Sequence, residues 1–515
     1  MLLINLTQII LFSTRNNNQE SFVIQETNDP ILSSVESWTP DGEQICTAIG
    51  SQSNVRVCND GVGGAVIVWQ DYRSGSNYDI YAQSVYPNGS IRWAYDGTEI
   101  CTAPGSQQNL QICSDGVGGA IIVWQDYRSG SNYDIYAQSI YPNGSIRWAY
   151  DGTEICTVPG SQQNLQICSN GVGGAIITWE DYRSESNYDI YAQLINISGN
   201  IVWTPNGTEI CSAIRAQKKP QICSNMLGGA IIAWEDYRTG SNYDIYAQQI
   251  NSSGNIIWTP NGTEVCLENK DQMTLQLCED GSGGAIIAWE DHRDYYDIYA
   301  QRVDFNGNKL WDSEAIAICT AYNCQQELQI CSDKQGGAII VWEDHREVYD
   351  ISVINYDIYA QRVDSIGNLK WKNDGKGICT ASEVQDVPQI CSDGIGGAFI
   401  TWMDRRFGSG TTGWQIYAQN IGFTGKLKWK EDGIGICTLS THMYPQICSD
   451  GVKGAIIVWE DLRGVSRDIY AQLLVNIDES IIPFGNFYLI FVILVVMLLF
   501  IYIKHKSILK SELLN

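Results

Sequence analysis

The feature that most constrains this chain is a unit of about 55 residues that recurs eight times. Each copy carries a tryptophan, an aspartate two residues later and an arginine four residues later, followed by an Ile-Tyr-Ala-Gln block. Residues 61–113 and 116–168 differ at three positions only. Self-similarity at a fixed period predicts one repeat architecture rather than several unrelated domains. The leading tryptophans are Trp69, Trp124, Trp179, Trp234, Trp289, Trp342, Trp402 and Trp459.

Within a unit, the hydrophobic pattern has the period of β-strands. In the second copy, turn residues (Gly, Asn, Pro) separate four runs, which we name strands a to d: Asn109–Ser114, Ala120–Gln125, Asp134–Ile140 and Ser145–Trp148. Strand b, AIIVWQ, is largely apolar at successive positions, which predicts that both of its faces are covered. Four such strands per unit predict an all-β fold, an eight-bladed β-propeller of four-stranded antiparallel blades over residues 35–476.

A second tryptophan in each unit predicts how the ring closes. After the last strand c, Asp468–Leu474, no copy of this tryptophan follows, but one stands at the front in the run Ser37–Gly42. We therefore predict that the N-terminal strand completes the last blade beside strand c of the C-terminal repeat. The other copies of this tryptophan are Trp93, Trp148, Trp203, Trp258, Trp311, Trp371 and Trp429.

The repeat resembles that of uncharacterised bacterial and archaeal cell-surface β-propeller proteins. The resemblance rests on the runs Gly-Gly-Ala-Ile-Ile-Val-Trp-Glu-Asp and Tyr-Asp-Ile-Tyr-Ala-Gln, and it covers roughly residues 36–476. It implies a propeller on an extracytoplasmic protein, and it brings no catalytic residues with it. A fold likeness by itself implies no function.

The charge, the histidine content and the motifs of the chain argue against some classes of function. The chain carries 32 Lys and Arg against 58 Asp and Glu, a net charge of −26, so we expect no nucleic-acid partner. Four His leave little for zinc chemistry, and we expect no cofactor and no metal. The chain contains no Walker A, His-Glu-x-x-His or Gly-x-Ser-x-Gly pattern.

The C-terminal region has the pattern of a membrane anchor. Residues 484–503 are uncharged and long enough, as a helix, to cross the hydrocarbon core of a bilayer. Lys504, Lys506 and Lys510 follow this segment, which predicts a cytoplasmic tail over 504–515 and an extracellular propeller. Residues 477–483 then form a juxtamembrane linker. Residues 1–34 form an N-terminal segment in which Met1–Phe12 resembles the apolar part of a signal peptide, without a basic region before it.

Sixteen of the 17 cysteines form pairs that flank each d–a connection, and Cys324 is the odd one. Joint retention of both cysteines in diverged copies suggests disulfides in an oxidising compartment. The alternative is sixteen thiols packed between blades, and the length of strand a is an argument against bonding. The pairs are Cys46/Cys58, Cys101/Cys113, Cys156/Cys168, Cys211/Cys223, Cys266/Cys278, Cys319/Cys331, Cys379/Cys391 and Cys437/Cys448.

The aspartate and arginine of each b–c loop could hold Ca²⁺ or could brace the loop. We favour bracing, because an arginine between carboxylates repels a cation; examples are the pairs Asp71/Arg73, Asp126/Arg128 and Asp461/Arg463. His292 and His345 occupy one loop position in adjacent blades, where we interpret them as replacements of tyrosine. Near-identical blades do not single out the two distinct carboxylates that a glycosidase needs.

Departures from the repeat are better candidates for function, since loops on a rigid scaffold carry binding. Blade six inserts residues 347–355 and blade seven 407–413 in the b–c loop, on the face that the d–a connections share. We expect a membrane-anchored, extracellular, non-catalytic binding or adhesion scaffold for surface proteins or glycans. The alternatives are a sialidase-like glycan hydrolase and a multivalent lectin. The candidate binding residues are Tyr349, Ile354, Arg405, Phe407 and Trp414.

Overall fold

The computed structural model describes residues 38–312, 314–347, 355–407, 413–439 and 441–475. These residues form 32 β-strands in eight sheets of four. The innermost strands, a, are β2 Gln52–Asn59, β6 Gln107–Ser114, β10 Gln162–Ser169, β14 Gln217–Ser224, β18 Gln272–Glu279, β22 Gln325–Ser332, β26 Gln385–Ser392 and β30 His442–Ser449. The next strands, b, are β3 Ala65–Asp71, β7 Ala120–Asp126, β11 Ala175–Asp181, β15 Ala230–Asp236, β19 Ala285–Asp291, β23 Ala338–Asp344, β27 Ala398–Asp404 and β31 Gly454–Asp461.

The two outer strands of each sheet complete the blade. Strands c are β4 Asp79–Val85, β8 Asp134–Ile140, β12 Asp189–Ile195, β16 Asp244–Ile250, β20 Asp297–Val303, β24 Asp357–Val363, β28 Gln415–Ile421 and β32 Asp468–Val475. Strands d are β5 Thr98–Cys101, β9 Thr153–Cys156, β13 Thr208–Cys211, β17 Thr263–Cys266, β21 Ile316–Cys319, β25 Lys376–Cys379, β29 Ile434–Cys437 and β1 Glu43–Cys46.

Seven blades are continuous in sequence and the eighth is not. Blades one to seven each pair four consecutive strands antiparallel, from β2–β5 to β26–β29. Blade eight has the order β30-β31-β32-β1, and Glu43 of β1 lies opposite Ala471 of β32. The predicted eight-bladed propeller and its closure by the N-terminal strand are therefore confirmed.

The position of strand d was predicted wrongly. The run around Trp93 makes only an isolated bridge to strand c, between Val85 and Ile91, and the fourth strand begins at Thr98. The side chain of Gln83 explains the difference: its Oε1 accepts from the backbone N–H of Trp93 at 3.0 Å and its Nε2 donates to a nearby carbonyl. Because this side chain satisfies backbone groups there, the run needs no strand partner.

The second tryptophan instead contacts the following blade. In blade one, Trp93 Nε1 donates to the carbonyl of Pro142 in the c–d turn of blade two, at 2.9 Å. Gly144 in that turn has φ +84°, and a Cβ there would lie 2.7 Å from the Trp93 ring. The turn therefore requires glycine, both for its backbone conformation and for the ring that rests on it.

Strand b supplies most of the core. All seven residues of β7 are buried, as the continuous apolar run predicted, because the sheets of the neighbouring blades cover both faces. The tryptophan of each strand b has no exposed surface and is among the largest fully buried side chains of the described residues. The polar turns lie at two rims: b–c loops and d–a connections form the upper face, and a–b and c–d turns form the lower face.

The expected disulfides are not present. All 17 cysteines are free thiols. Cys101 ends strand d at the upper face, whereas Cys113 is the seventh residue of strand a, β6, which starts at that face. Six residues of strand span about 20 Å, far beyond the Cα separation that a disulfide allows.

None of the residues that the structure describes belongs to a helix long and apolar enough to cross a membrane. The segments 1–34, 477–483, 484–503 and 504–515 lie outside the described residues, and the membrane anchor stays a prediction.

Removing the N-terminal strand should open the ring. Deleting residues 1–47 takes away β1, whose Ile45 and Cys46 are almost completely buried against blade eight. We expect the free energy of unfolding to fall by at least about 3 kcal/mol, since a buried isoleucine alone is worth 2–5 kcal/mol on truncation. Thermal denaturation followed by circular dichroism would measure this. A chain lacking only residues 1–37 keeps β1 and serves as control; equal melting of the two would contradict the closure.

Candidate functional site

The aspartate that ends each strand b is a buried acceptor. In blade two, Asp126 has no exposed surface; Trp124 Nε1 donates to its Oδ2 at 2.8 Å, and the backbone N–H of Arg128 donates to its Oδ1 at 2.9 Å. Arg128 adds two side-chain bonds, Nε to Oδ1 at 2.8 Å and the guanidinium to Oδ2 at 2.6 Å. Burial opposes the charge of the guanidinium, but pairing with Asp126 raises the pKa of Arg128 above its usual value.

The arginine also joins two blades. Arg128 donates to Cys101 Sγ in strand d of blade one, at 3.3 Å, and to the carbonyl of Asp151 in its own blade, at 2.8 Å. Its guanidinium lies 3.8 Å from the ring centroid of Tyr136. The aspartate–arginine ion pair is present in all eight blades. In seven of them the arginine also donates to the strand-d cysteine of the preceding blade and so links two blades. Both carboxylate oxygens are occupied by protein donors, an arrangement that serves bracing rather than the binding of a cation.

The two loop histidines lie on tyrosines of their own loops. The ring centroids of His292 and Tyr296 are 3.9 Å apart, and those of His345 and Tyr356 are 3.8 Å apart. In blades one to four, the same place holds a pair of tyrosines, such as Tyr72 and Tyr78 with centroids 5.1 Å apart. The b–c loops therefore present a repeated aromatic pair on the upper face.

Blade eight contains a buried cluster that the sequence interpretation missed. His442 replaces the glutamine that starts strand a in the other seven blades, and its Nδ1 lies 2.9 Å from Asp461 Oδ2. Its Nε2 lies 3.1 Å from Cys437 Sγ. The sequence feature that could have revealed this cluster is the single histidine at a position that glutamine occupies in the other blades.

The order Cys437–His442–Asp461 is that of a nucleophile, a base and an orienting acid, but the environment does not suit catalysis. Cys437 and His442 have no exposed surface, so no substrate reaches the thiol. Burial raises the pKa of the Cys437 thiol to about 12. Arg463 donates to Cys437 Sγ at 3.1 Å and to Asp461 at 2.6 Å, which places a positive charge where a metal ion would have to sit. We interpret the cluster as the blade-eight version of the aspartate–arginine pair that braces each b–c loop.

The upper part of the channel is lined by a bulge in each strand a. In β6 the register shifts between Gln108 and Gln111, and Asn109 has φ +52°. The backbone N–H of Asn109 donates to Gln70 Oε1 of blade one at 3.1 Å. Equivalent backbone donors reach the preceding blade at Asn54, Lys219, Thr274, Glu327, Val387 and Tyr444.

These bulges surround a polar cavity of about 300 Å³ beside blades one to four. Amide side chains dominate its lining, with one arginine and one lysine. The amide and basic members include Asn54, Arg56, Asn109, Asn164 and Lys219. Amides and cations placed in this way can donate to hydroxyls or carboxylates of a ligand at the channel mouth.

The structure brings two of the predicted binding residues together. The Arg405 guanidinium lies 5.9 Å from the ring centroid of Trp414, and both side chains are half-buried on the upper face of blade seven. Phe407 is 77% exposed on the same face. Tyr349 and Ile354 lie outside the described residues. Other strongly exposed apolar side chains on the upper face are Ile49, Ile214, Tyr322, Leu439 and Val465.

A ring of carboxyls at the start of strand c has raised pKa values. Burial, with added repulsion from nearby acids such as Asp71, raises the pKa of Asp79 to about 6. The same holds for Asp189, Asp244, Asp297 and Asp468, and the pKa of Asp357 is raised to about 7. Blade seven has Gln415 at this position.

No protein-family model and no curated protein matches this chain. Solved structures resemble it at the level of the fold. A protein of unknown function from Dyadobacter fermentans has 10% identity and a TM-score of 0.40, over 87% of this chain and 100% of that chain. The NanB sialidase of Streptococcus pneumoniae has 10% identity and a TM-score of 0.34, over 81% and 84%. An endo-arabinase of Bacteroides thetaiotaomicron has 14% identity and a TM-score of 0.30, over 50% and 94%. Likeness at this level does not extend to chemistry.

Replacing a bracing aspartate should destabilise the ring. We expect Asp126→Ala to lower the free energy of unfolding by about 3–5 kcal/mol, because it leaves the half-buried Arg128 without its partner. Chemical denaturation would measure the loss. Glu185→Gln, at an exposed position in the b–c loop of blade three, is the control and should change the stability by less than about 0.5 kcal/mol. Equal stability of the two variants would contradict the bracing role.

The raised carboxyl pKa values predict a fall in stability as pH rises. Between about pH 4 and 6 the folded chain holds more protons on these aspartates than the unfolded chain, so the free energy of unfolding decreases with pH. Melting temperatures measured across this range should show the decrease. In Asp244→Asn one of these groups is removed, and the slope should become shallower. An unchanged slope would show that Asp244 titrates normally.

Proposed function

We propose that this protein is a membrane-anchored surface protein whose propeller binds extracellular partners through its upper face without catalysing a reaction. One observation carries the proposal: the departures from the repeat lie on one face, where they stand beside exposed aromatic and apolar side chains. Arg405, Phe407 and Trp414 stand there with the aromatic pairs of the b–c loops. Exposed aromatic residues and arginine on a rigid support are typical of binding surfaces.

The carboxylates of the repeat support binding over hydrolysis. The aspartate of each brace is saturated by tryptophan and arginine donors, and so is not available to a substrate. The strand-c aspartates recur in seven of eight blades, whereas a catalytic site needs distinct residues that converge at one place.

The course of the chain after the last strand supports an orientation in which the upper face points away from the membrane. Strand c of blade eight ends with Val475 at the lower face, eight residues before the apolar segment 484–503 begins. The a–b turns of the lower face also carry exposed apolar side chains in six blades, which suits a surface close to lipid. They are Val62, Val117, Val172, Leu227, Ile395 and Val452.

A glycan hydrolase is the second candidate, and one asymmetric feature favours it. Glu343, buried in strand b of blade six, shares a hydrogen bond with Asp386 of blade seven. Burial and this neighbour raise the pKa of Glu343 well above its usual value. A carboxyl whose pKa is raised by burial can act as a general acid.

A binding screen followed by two matched variants tests the proposal. The full-length protein in detergent is applied to a glycan array and to a panel of extracellular proteins. For any ligand found, we expect Phe407→Ala and Trp414→Ala to weaken binding by about tenfold or more, as loss of an aromatic contact does. Ile395→Ala is the control: Ile395 is 75% exposed in the same blade but on the lower face.

Three results would contradict the proposal. Equal weakening by Phe407→Ala and Ile395→Ala would show that the upper face is not the binding surface. Cleavage of an array glycan by the wild-type protein, abolished in Glu343→Gln, would establish the hydrolase instead. Loss of binding in steps as successive blades are altered, with Trp414→Ala unaffected, would indicate a multivalent lectin.

A further inference from the structure

The lower part of the channel carries a ring of eight thiols. The seventh residue of every strand a is cysteine, and the eight inner strands share one register relative to their strands b. The thiols therefore lie at one level of the ring: Cys58, Cys113, Cys168, Cys223, Cys278, Cys331, Cys391 and Cys448. Six of them line a cavity of about 670 Å³, together with serine side chains that follow them in sequence.

The ring thiols differ from the second set of cysteines, at the ends of strands d. A strand-d thiol such as Cys101 is about 1% exposed and accepts a hydrogen bond from an arginine of the brace. Among the ring thiols, Cys58 and Cys113 are half-buried, and Cys278 and Cys331 are 6% and 9% exposed. Both sets pack against the apolar clusters of the blade junctions, but six thiols of the ring also line a cavity.

Neighbouring ring thiols interact with one another. The pKa of Cys58 is raised well above its usual value, mainly by burial, and the thiols of Cys448 and Cys113 on either side add to the shift. Within the described residues, the one set of three metal-ligating groups within 4.8 Å is the closed cluster of blade eight. The inner strands of adjacent blades pack side by side, so a ring site would use two thiols from adjacent blades.

We propose that this thiol ring binds a soft monovalent metal cation such as Cu(I), held between cysteines of adjacent blades. Thiolate is the ligand that selects Cu(I) over hard cations, and two thiolates suffice for linear coordination of such an ion. Cys278 and Cys331 of blades five and six are the leading pair, because both line the cavity beside Lys334.

The carboxylates around the leading pair are paired with bases, so they do not oppose a bound bis-thiolate, which carries one negative charge. On the cavity wall, Lys334 lies 2.6 Å from Glu279, and the two charges offset each other. The acids at the adjoining a–b turns are neutralised, since Arg302 pairs with Asp280 at 2.8 Å and Arg362 with Asp333 at 2.8 Å.

Binding at each pair is a proton exchange without electron transfer. Two S–H bonds break and two S–Cu bonds form, the metal stays in the +1 state, and two protons leave to solvent. Because each thiol gives up its proton on binding, affinity should increase as pH rises.

Anaerobic titration of the reduced full-length protein with Cu(I), in competition with a chromogenic chelator, tests the proposal. We expect Cys278→Ser/Cys331→Ser to bind about one Cu(I) fewer per chain than the wild type. Cys319→Ser/Cys379→Ser, which changes the strand-d thiols of the same two blades, is the control and should keep the wild-type stoichiometry. Equal stoichiometry in the two double variants, or no binding by the wild type, would overturn the proposal.

Alkylation of the wild-type protein provides a measurement that does not depend on the folding of a variant. Iodoacetamide labelling, mapped by mass spectrometry with and without Cu(I), should show protection of ring cysteines such as Cys278 and Cys331 by the metal. Strand-d cysteines should stay unlabelled in both samples, because they are buried. Labelling of the ring cysteines that Cu(I) does not change would also overturn the proposal.

Discussion

The ion pair between the aspartate that ends strand b and the arginine two residues later is the interaction on which the ring depends. At seven of the eight blade junctions it joins three groups: the core tryptophan, the c–d connection of the same blade and strand d of the preceding blade. An arginine alone in this place would be a half-buried, unpaired charge, and the aspartate alone would be a buried anion. The motif that marks the repeat in sequence is therefore the motif that holds neighbouring blades together.

Much of the fold could be predicted from the sequence because the same pattern of strands and turns occurs in eight copies. The hydrophobic pattern predicts strands b and c, and counting the tryptophans predicts the number of blades and the closure by the N-terminal strand. The structure confirms all of these predictions. The outer strand was placed too early, because the tryptophan at Trp93 suggested a strand and the capping of its backbone by Gln83 cannot be seen in a pattern. Cysteine spacing suggested bonds, whereas the two thiols of a pair stand at opposite ends of strand a.

The candidate site was less predictable, for a physical reason. The residues that all blades share are those that pack the blades together. A binding site for a partner would depend on residues that occur in one blade only, and the repeat pattern gives no information about these. Arg405 and Trp414 could be noticed as departures, and the structure places them together. His442 was overlooked, since a single glutamine-to-histidine change has no meaning until the structure shows Cys437 and Asp461 on either side of it. The hydrogen-bonded pair Glu343 and Asp386 also forms only across a blade junction.

The bulge in strand a has a consequence for how such a molecule can diverge. The bond to the preceding blade comes from the main-chain N–H, so the identity of the side chain at that position is not dictated by assembly. The eight copies indeed hold Asn54, Asn109, Asn164, Lys219, Thr274, Glu327, Val387 and Tyr444, although the second half of strand a is nearly constant. At the upper end of the channel, the fold thus offers eight positions whose side chains can change during evolution while the architecture stays intact.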